Sequence, residues 1–206
     1  MSLFIRTRSP FWPLLGALSV FAHARDSDGE VRCPTGTSPS HWLESINGQQ
    51  FPADGCLDEH GRKQDRMVAH YGSGGLVQEG RYLNGLPDGL VTTYYESGKK
   101  AVEVQFHLGK QHGTLRAWYE NGRMMQEDDW DDGMQHGVTR KWFEDGTMSY
   151  EGAWSHGVRE GIERIWYPSG QLKQQGSFAH GVPSGRLLLY DVAGKPLAAP
   201  QHPASE

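Results

Sequence analysis

Cysteine is scarce in this chain, two in 206 residues, and there is no excess of positive charge: 20 Lys+Arg stand against 25 Asp+Glu. Without a basic stripe nothing neutralises a run of phosphates, which argues against a nucleic-acid partner. Beyond the N-terminal two dozen residues no apolar run approaches the roughly 20 residues that a membrane-spanning helix needs, so no integral membrane segment is expected there. Apolar residues at 3.6-residue spacing are also missing, and 27 glycines make helix unfavourable along the whole chain. Neither cysteine lies in a CxxC setting, and no nucleophile elbow frames a serine. An aromatic content of 11% nevertheless sets the chain apart from disordered sequences.

What is present is a period. Gly74, Gly98, Gly122, Gly146, Gly170 and Gly194 are each 24 residues apart. Gly89, Gly113, Gly137, Gly161 and Gly185 keep the same step, as do Gly85, Gly109, Gly133, Gly157 and Gly181. Aromatic columns run in phase with them: Tyr94, Trp118, Trp142, Trp166 and Tyr190 in one, Tyr82, Phe106, Trp130, Trp154 and Phe178 in another. Such columns mark a repeat array. Within a unit, Thr114 to Glu120 is followed by Asn121-Gly122, a two-residue hairpin signal. Arg123 to Trp130 returns, and a glycine-containing loop through Gly133 and His136-Gly137 opens the next unit. The expected fold is all-β: about five hairpins forming an elongated, single-layer antiparallel sheet.

A two-residue turn at Asn121-Gly122 fixes the register. Gly113 then faces Trp130 and Tyr119 faces Met124; equivalently, Gly89 faces Phe106, Gly137 faces Trp154 and Gly161 faces Phe178. Phe106, Trp130, Trp154 and Phe178 become structural aromatics covering cross-strand glycines. Alternation places Tyr119, Met124 and Trp130 on one face, expected to be apolar. The opposite face carries Tyr94, Trp118, Trp142 and Trp166, with Arg116 paired to Glu127 and Arg140 to Glu151. A three-residue turn would exchange these assignments.

The stretch Tyr150-Glu151-Gly152-Ala153-Trp154-Ser155-His156-Gly157-Val158-Arg159-Glu160-Gly161 resembles the MORN repeat. Trp118-Tyr119-Glu120-Asn121-Gly122 and Trp166-Tyr167-Pro168-Ser169-Gly170 resemble its bacterial variant. The likeness runs over residues 66–194. It implies a binding or assembly platform with protein or lipid partners, and some bacterial relatives are labelled antitoxin-like. Three positions depart from the pattern: Lys100 in an apolar column, Asp128 where the strand glycine belongs, and Leu189-Tyr190-Asp191 in place of Trp-Tyr.

The N-terminus reads differently. Arg6 and Arg8 precede an apolar stretch from Phe11 to Phe21, and Ala22-His23-Ala24 supplies a small-x-small cleavage site. A signal peptide over 1–24, cleaved after Ala24, places the protein in the periplasm or outside the cell; a buried N-terminal element is the plainer alternative. In that compartment Cys33 and Cys56 are expected to form a disulfide, worth about 3 kcal/mol by loop closure. The organisation is then a stapled lead-in over 25–65, a repeat array over 66–194 and a disordered tail over 195–206, with 25–32 disordered as well.

Chemistry is sparse. His112 and His136 share one column and His156 and His180 another. Equivalent residues lie roughly 10 Å apart across two strands, too far to share a metal, so neither a metal nor a cofactor is expected. The acidic run from Glu127 to Asp132 reads as a solvated loop rather than a calcium site. No catalytic residues are assigned and no enzymatic activity is expected, because a single sheet encloses no pocket. The candidate binding surface is Tyr94, Trp118, Trp142, Trp166, Arg116 and Arg140, facing a protein partner or a second copy. The alternatives are a glycan or cell-wall ligand stacking on the tryptophans, and a toxin-neutralising role.

Overall fold

The computed structural model describes residues 32–197, so the expected signal segment lies outside the described residues. The described chain forms one 13-stranded sheet in which each strand pairs antiparallel with its sequence neighbours, from β1 to β13 in order. The strands are β1 (Thr37–Ile46), β2 (Gln49–Asp58), β3 (Lys63–His70), β4 (Leu76–Leu83), β5 (Leu86–Tyr94), β6 (Lys100–His107) and β7 (Lys110–Trp118). They continue as β8 (Met124–Asp131), β9 (Met134–Trp142), β10 (Met148–Ser155), β11 (Val158–Trp166), β12 (Leu172–Ala179) and β13 (Val182–Leu189). The sheet does not break at the expected boundary near residue 65: β2 pairs with β3 through Ala53–Ala69 and Gly55–Met67. Past β13, Tyr190 bridges to Pro196 and the Leu197 amide donates to the Leu189 carbonyl, so the array continues in ordered form into the segment expected to be disordered.

Two kinds of turn alternate. At the Asn121-Gly122 end the loop has three residues, not two: the Gly122 amide donates to the Tyr119 carbonyl at 2.8 Å, and the Tyr119 amide donates to the Arg123 carbonyl at 2.9 Å. This is a type I turn closed by a glycine at φ 88°. Asn121 is favoured there for its side-chain oxygen, which accepts the Arg123 amide at 2.9 Å, and Asp145 accepts the Thr147 amide likewise at 2.8 Å. The two-residue turns lie at the other end of the strands. Asp132 and Gly133, with φ 48° and 82°, sit between the paired residues Asp131 and Met134. The loop expected through Gly133 and His136-Gly137 is thus a tight turn at Asp132-Gly133 followed directly by β9.

The longer turn corrects the register near it. Ala117 pairs with Gln126 but Trp118 pairs with Met124, leaving Met125 as a bulge. Tyr119 therefore does not face Met124, and Met148 and Leu172 likewise pair with Trp142 and Trp166 rather than with Phe143 and Tyr167. Away from the bulge the expected pairs are present: Gly113–Trp130, Gly89–Phe106, Gly137–Trp154 and Gly161–Phe178. The glycine has a second reason to be there. Gly113 has φ 89° and lies where three residues of β7 oppose one of β6, a conformation that a side chain resists.

Apolar burial is concentrated at the N-terminal end. Ala53, Met67, Ala69, Val77 and Tyr82 form the buried cluster, with Trp42, Ile46, Phe51 and Tyr71 packed against it. The Cys33–Cys56 disulfide, with Cα atoms 5.6 Å apart, ties the chain preceding β1 to β2 beside this cluster. The face expected to be apolar throughout is so only in its first half. Its central row reads Met67, Gly80, Val91, Val104 and Leu115, then Asp128, Thr139, Gly152 and Glu163.

Candidate binding surface

One row of residues crosses the opposite face by direct cross-strand pairing. From β4 to β12 it reads Glu79, Thr92, Glu103, Arg116, Glu127, Arg140, Glu151, Arg164 and Gln175. The guanidinium of Arg116 meets Glu127 at 2.9 Å, and Arg140 lies 3.7 Å from Glu127 and 3.4 Å from Glu151. Arg164 reaches Glu151 at 3.0 Å and donates to Gln175 at 3.0 Å. The two intra-hairpin pairs expected from the sequence are thus part of a continuous ladder. The links between hairpins, Glu127–Arg140 and Glu151–Arg164, escaped the sequence reading. A signal for them exists: Glu79, Glu103, Glu127 and Glu151 are 24 apart, as are Arg116, Arg140 and Arg164. The side chains are only partly covered, 45% exposed at Arg116 and 27% at Glu127, so each pair contributes little to stability. The ladder's effect is to fix the position and sign of charge on each strand from β6 to β11.

The aromatic column borders this row. Tyr94 reaches it directly, its hydroxyl donating to Glu79 at 2.6 Å. Burial pushes the Tyr94 phenol up to about 12, with the hydrogen bond to Glu79 acting in the same direction, while that bond and Arg66 hold Glu79 below its usual range. Trp118, Trp142 and Trp166 occupy the same column opposite Met124, Met148 and Leu172. All three rings are half-buried, so the surface they offer is their edges and part of their faces rather than a fully open ribbon. Exposed apolar side chains close to the row on this face include Leu90, 48% exposed, and Ile162, 46%.

On the other face Phe106, Trp130, Trp154 and Phe178 are half-buried over their glycines, and the Arg159 guanidinium lies 4.2 Å from the Phe178 ring centre. Here the acidic run departs from expectation. Asp128 is 1% exposed, between Leu115 and Thr139 in the sheet, so the run is not a solvated loop throughout. Its Oδ2 is held by Gln126, and Oδ1 has no hydrogen-bond partner among the described residues. Glu163 is buried in the same row and accepts from Tyr150 at 2.9 Å; burial, then this bond, pushes the Tyr150 phenol up to about 12.

A further cluster was not anticipated. Asp54 on β2, 2% exposed, lies between His41 of β1, with which it is hydrogen-bonded, and His70 of β3 at 3.7 Å. Among the described residues no group of three His, Cys, Asp or Glu side chains is placed to hold a metal ion. The His136 ring on β9 and the His156 ring in the β10–β11 turn come within 5.1 Å as an edge-on pair. Among the described residues, depressions open to solvent include one of about 530 Å³ beside Arg66, Glu79 and Leu90 and one of about 260 Å³ beside His41, Trp42 and Asp54. No described helix is long and apolar enough to cross a membrane.

Three segments of the chain match the family described as the MORN repeat variant: residues 87–107, 111–132 and 159–180. They coincide with the hairpins β5–β6, β7–β8 and β11–β12. The β9–β10 hairpin between the last two has the same bulge and the equivalent glycine–aromatic pair, Gly137–Trp154. Comparison with curated proteins found no match. Repeats of this kind are non-catalytic and serve as scaffolds that bind proteins or membranes.

Proposed function

We propose that the chain is an exported, non-enzymatic repeat scaffold that binds a protein partner through the face carrying Arg116, Arg140 and the Tyr94, Trp118, Trp142 and Trp166 column. The observation that carries this reading is the ladder itself: one charge of defined sign per strand from Glu103 to Arg164, bordered by aromatic rings. Fixed charge at a regular spacing of about 4.8 Å selects a partner and its orientation, while half-buried rings supply apolar contact. Export is supported by the arginine–apolar–Ala-x-Ala pattern at the N-terminus and by the Cys33–Cys56 bridge, a bond typical of oxidising compartments.

Crosslinking mass spectrometry in the intact cell envelope tests this. A carboxyl-directed reagent is expected to join Glu103, Glu127 and Glu151 to one dominant protein, and Trp142→Ala to reduce those links. Links scattered evenly over both faces would count against the proposal. The tryptophan column also favours a second reading, a wall glycan stacked on the rings. Retention on purified peptidoglycan that Trp142→Ala abolishes, and that added envelope protein leaves unchanged, would select it instead.

A further inference from the structure

Resting on that reading of the face, we infer that its partner is a second copy of this chain, docked face to face across a two-fold axis that runs parallel to the strands between β8 and β9. The six residues Glu103, Arg116, Glu127, Arg140, Glu151 and Arg164 alternate in sign on consecutive strands β6 to β11. A symmetric dimer presents the same patch on both sides, so the patch must complement itself. Two in-plane axes would bring the sheets face to face. An axis along the row lays each strand over its own counterpart, so that Arg140 meets the partner subunit's Arg140 and every contact is repulsive. An axis along the strands reverses the row. Glu127 then meets the partner subunit's Arg140, Arg116 meets the partner subunit's Glu151, and Glu103 meets the partner subunit's Arg164. All contacts become attractive because the alternating row has an even number of members.

The dimensions suit such a dimer. Six strands at about 4.8 Å and eight residues at about 3.3 Å give a patch of roughly 29 by 26 Å, or about 750 Å² on each partner. That is close to the roughly 800 Å² per partner of a stable interface. Sheets stacked in this way cross at about −30°, so the central quartet of Arg116, Glu127, Arg140 and Glu151 keeps the closest register. Exposed ion pairs are individually weak; the row sets the encounter and the orientation. Apolar contact comes from Ile162 and from the Trp118, Trp142 and Trp166 rings, which border the row on the same strands.

Analytical ultracentrifugation of the processed full chain is the test. The wild type is expected to dimerise at low salt, with its dissociation constant rising at least about tenfold on going from 50 to 500 mM NaCl, as screening shortens the Debye length. E127R and R140E, each with circular dichroism confirming the fold, are expected to be monomeric alone, because each sets like charges across the axis. Mixed in equal amounts they are expected to form a heterodimer, since each then supplies the charge that the other lacks. Should either variant misfold, the salt dependence of the wild type decides. A wild type that stays monomeric at low salt, or a mixture that stays monomeric, overturns the inference. If crosslinks from Glu127 to a different envelope protein persist in that case, the binding-platform reading stands; if they too are missing, both fail.

Discussion

The Tyr119 hydroxyl donates to the carbonyl oxygen of Trp142, 2.8 Å away and one hairpin further along the chain. Tyr71 makes the same bond to Tyr94 at 2.8 Å, Tyr95 to Trp118 at 2.6 Å and Tyr167 to Tyr190 at 3.0 Å. At the opposite edge the turn glycines repeat a second link: the amides of Gly109, Gly133, Gly157 and Gly181 donate to the carbonyls of Pro87, Gln111, Gln135 and Arg159. Each hairpin except the one that turns at Phe143 is thus joined to the next at both ends as well as through the strands between. In a one-dimensional array such nearest-neighbour links determine how cooperatively the units unfold.

Phe143 is the member of the tyrosine column that has no hydroxyl, so the link to Trp166 is missing from the series. A net hydrogen bond is worth about 0.5–1.5 kcal/mol. Tyr119→Phe is expected to destabilise the chain by about 1 kcal/mol, and Phe143→Tyr to stabilise it by a similar amount. Urea unfolding followed by circular dichroism measures both. Equal and small changes of one sign in both variants would mean that the hydroxyls are satisfied equally well by solvent.

Leu108 occupies the first position of a two-residue turn with φ 47°. The equivalent positions are held by Asn47, Asn84, Asp132, His156 and His180, whose polar side chains tolerate the left-handed region better than leucine. Leu108 is also 51% exposed, so its side chain gains little from packing. Leu108→Asn produces the Asn-Gly pair preferred in this turn type and is expected to raise stability by about 1 kcal/mol. A higher midpoint in thermal melting is the readout, and an unchanged or lower one would show that the turn is not strained.

The period was legible because the positions that define it tolerate few substitutes. A positive-φ glycine at a bulge and a ring covering it, as at Gly113 and Trp130, persist in four successive units and appear as columns. Turn length was not legible, because Asn121-Gly122 serves both a two-residue turn, through backbone conformation, and a three-residue one, through the side-chain oxygen of Asn121. That one ambiguity moved Met124 from Tyr119 to Trp118. The charged row was read only pairwise, since its continuity depends on bulges such as Met125 that leave the central register intact. The cluster around Ala53, Met67 and Ala69 was out of reach for a different reason: β2 falls outside the repeat, so no column announced it.

Asp128 stands in a column with Gly80, Val104, Gly152 and Gly176, and it is the buried member whose chemistry does not fit. One carboxyl oxygen has no partner among the described residues, and its cross-strand neighbours are Leu115 and Thr139. Burying an uncompensated polar group costs about 1–3 kcal/mol. Valine is close in size and already serves at 104, and β-branched residues suit a pleated surface. Asp128→Val is therefore expected to stabilise the chain by about 1–2 kcal/mol in urea unfolding. A loss of stability would place Asp128 in a polar contact that the sheet requires.

Alkali should loosen the fold through three phenols. Burial is the main cause that pushes Tyr82, Tyr94 and Tyr150 up to about 12; Glu44 adds to it at Tyr82, Glu79 at Tyr94 and Glu163 at Tyr150. Below pH 10 these groups are protonated in both folded and unfolded chains, and the stabilisation from keeping them neutral is fully present. Between pH 10 and about 12 the unfolded chain releases protons that the folded chain retains, so stability falls with rising pH. Tyrosinate absorbance in the folded protein is expected to show a group of phenols ionising near pH 12, separate from those near 10. The urea midpoint should decline over the same interval, and Tyr94→Phe should make the decline shallower. A midpoint that is flat from pH 9 to 12 would mean that these hydroxyls exchange with solvent and that the Tyr94–Glu79 bond bordering the charged row does not persist in solution.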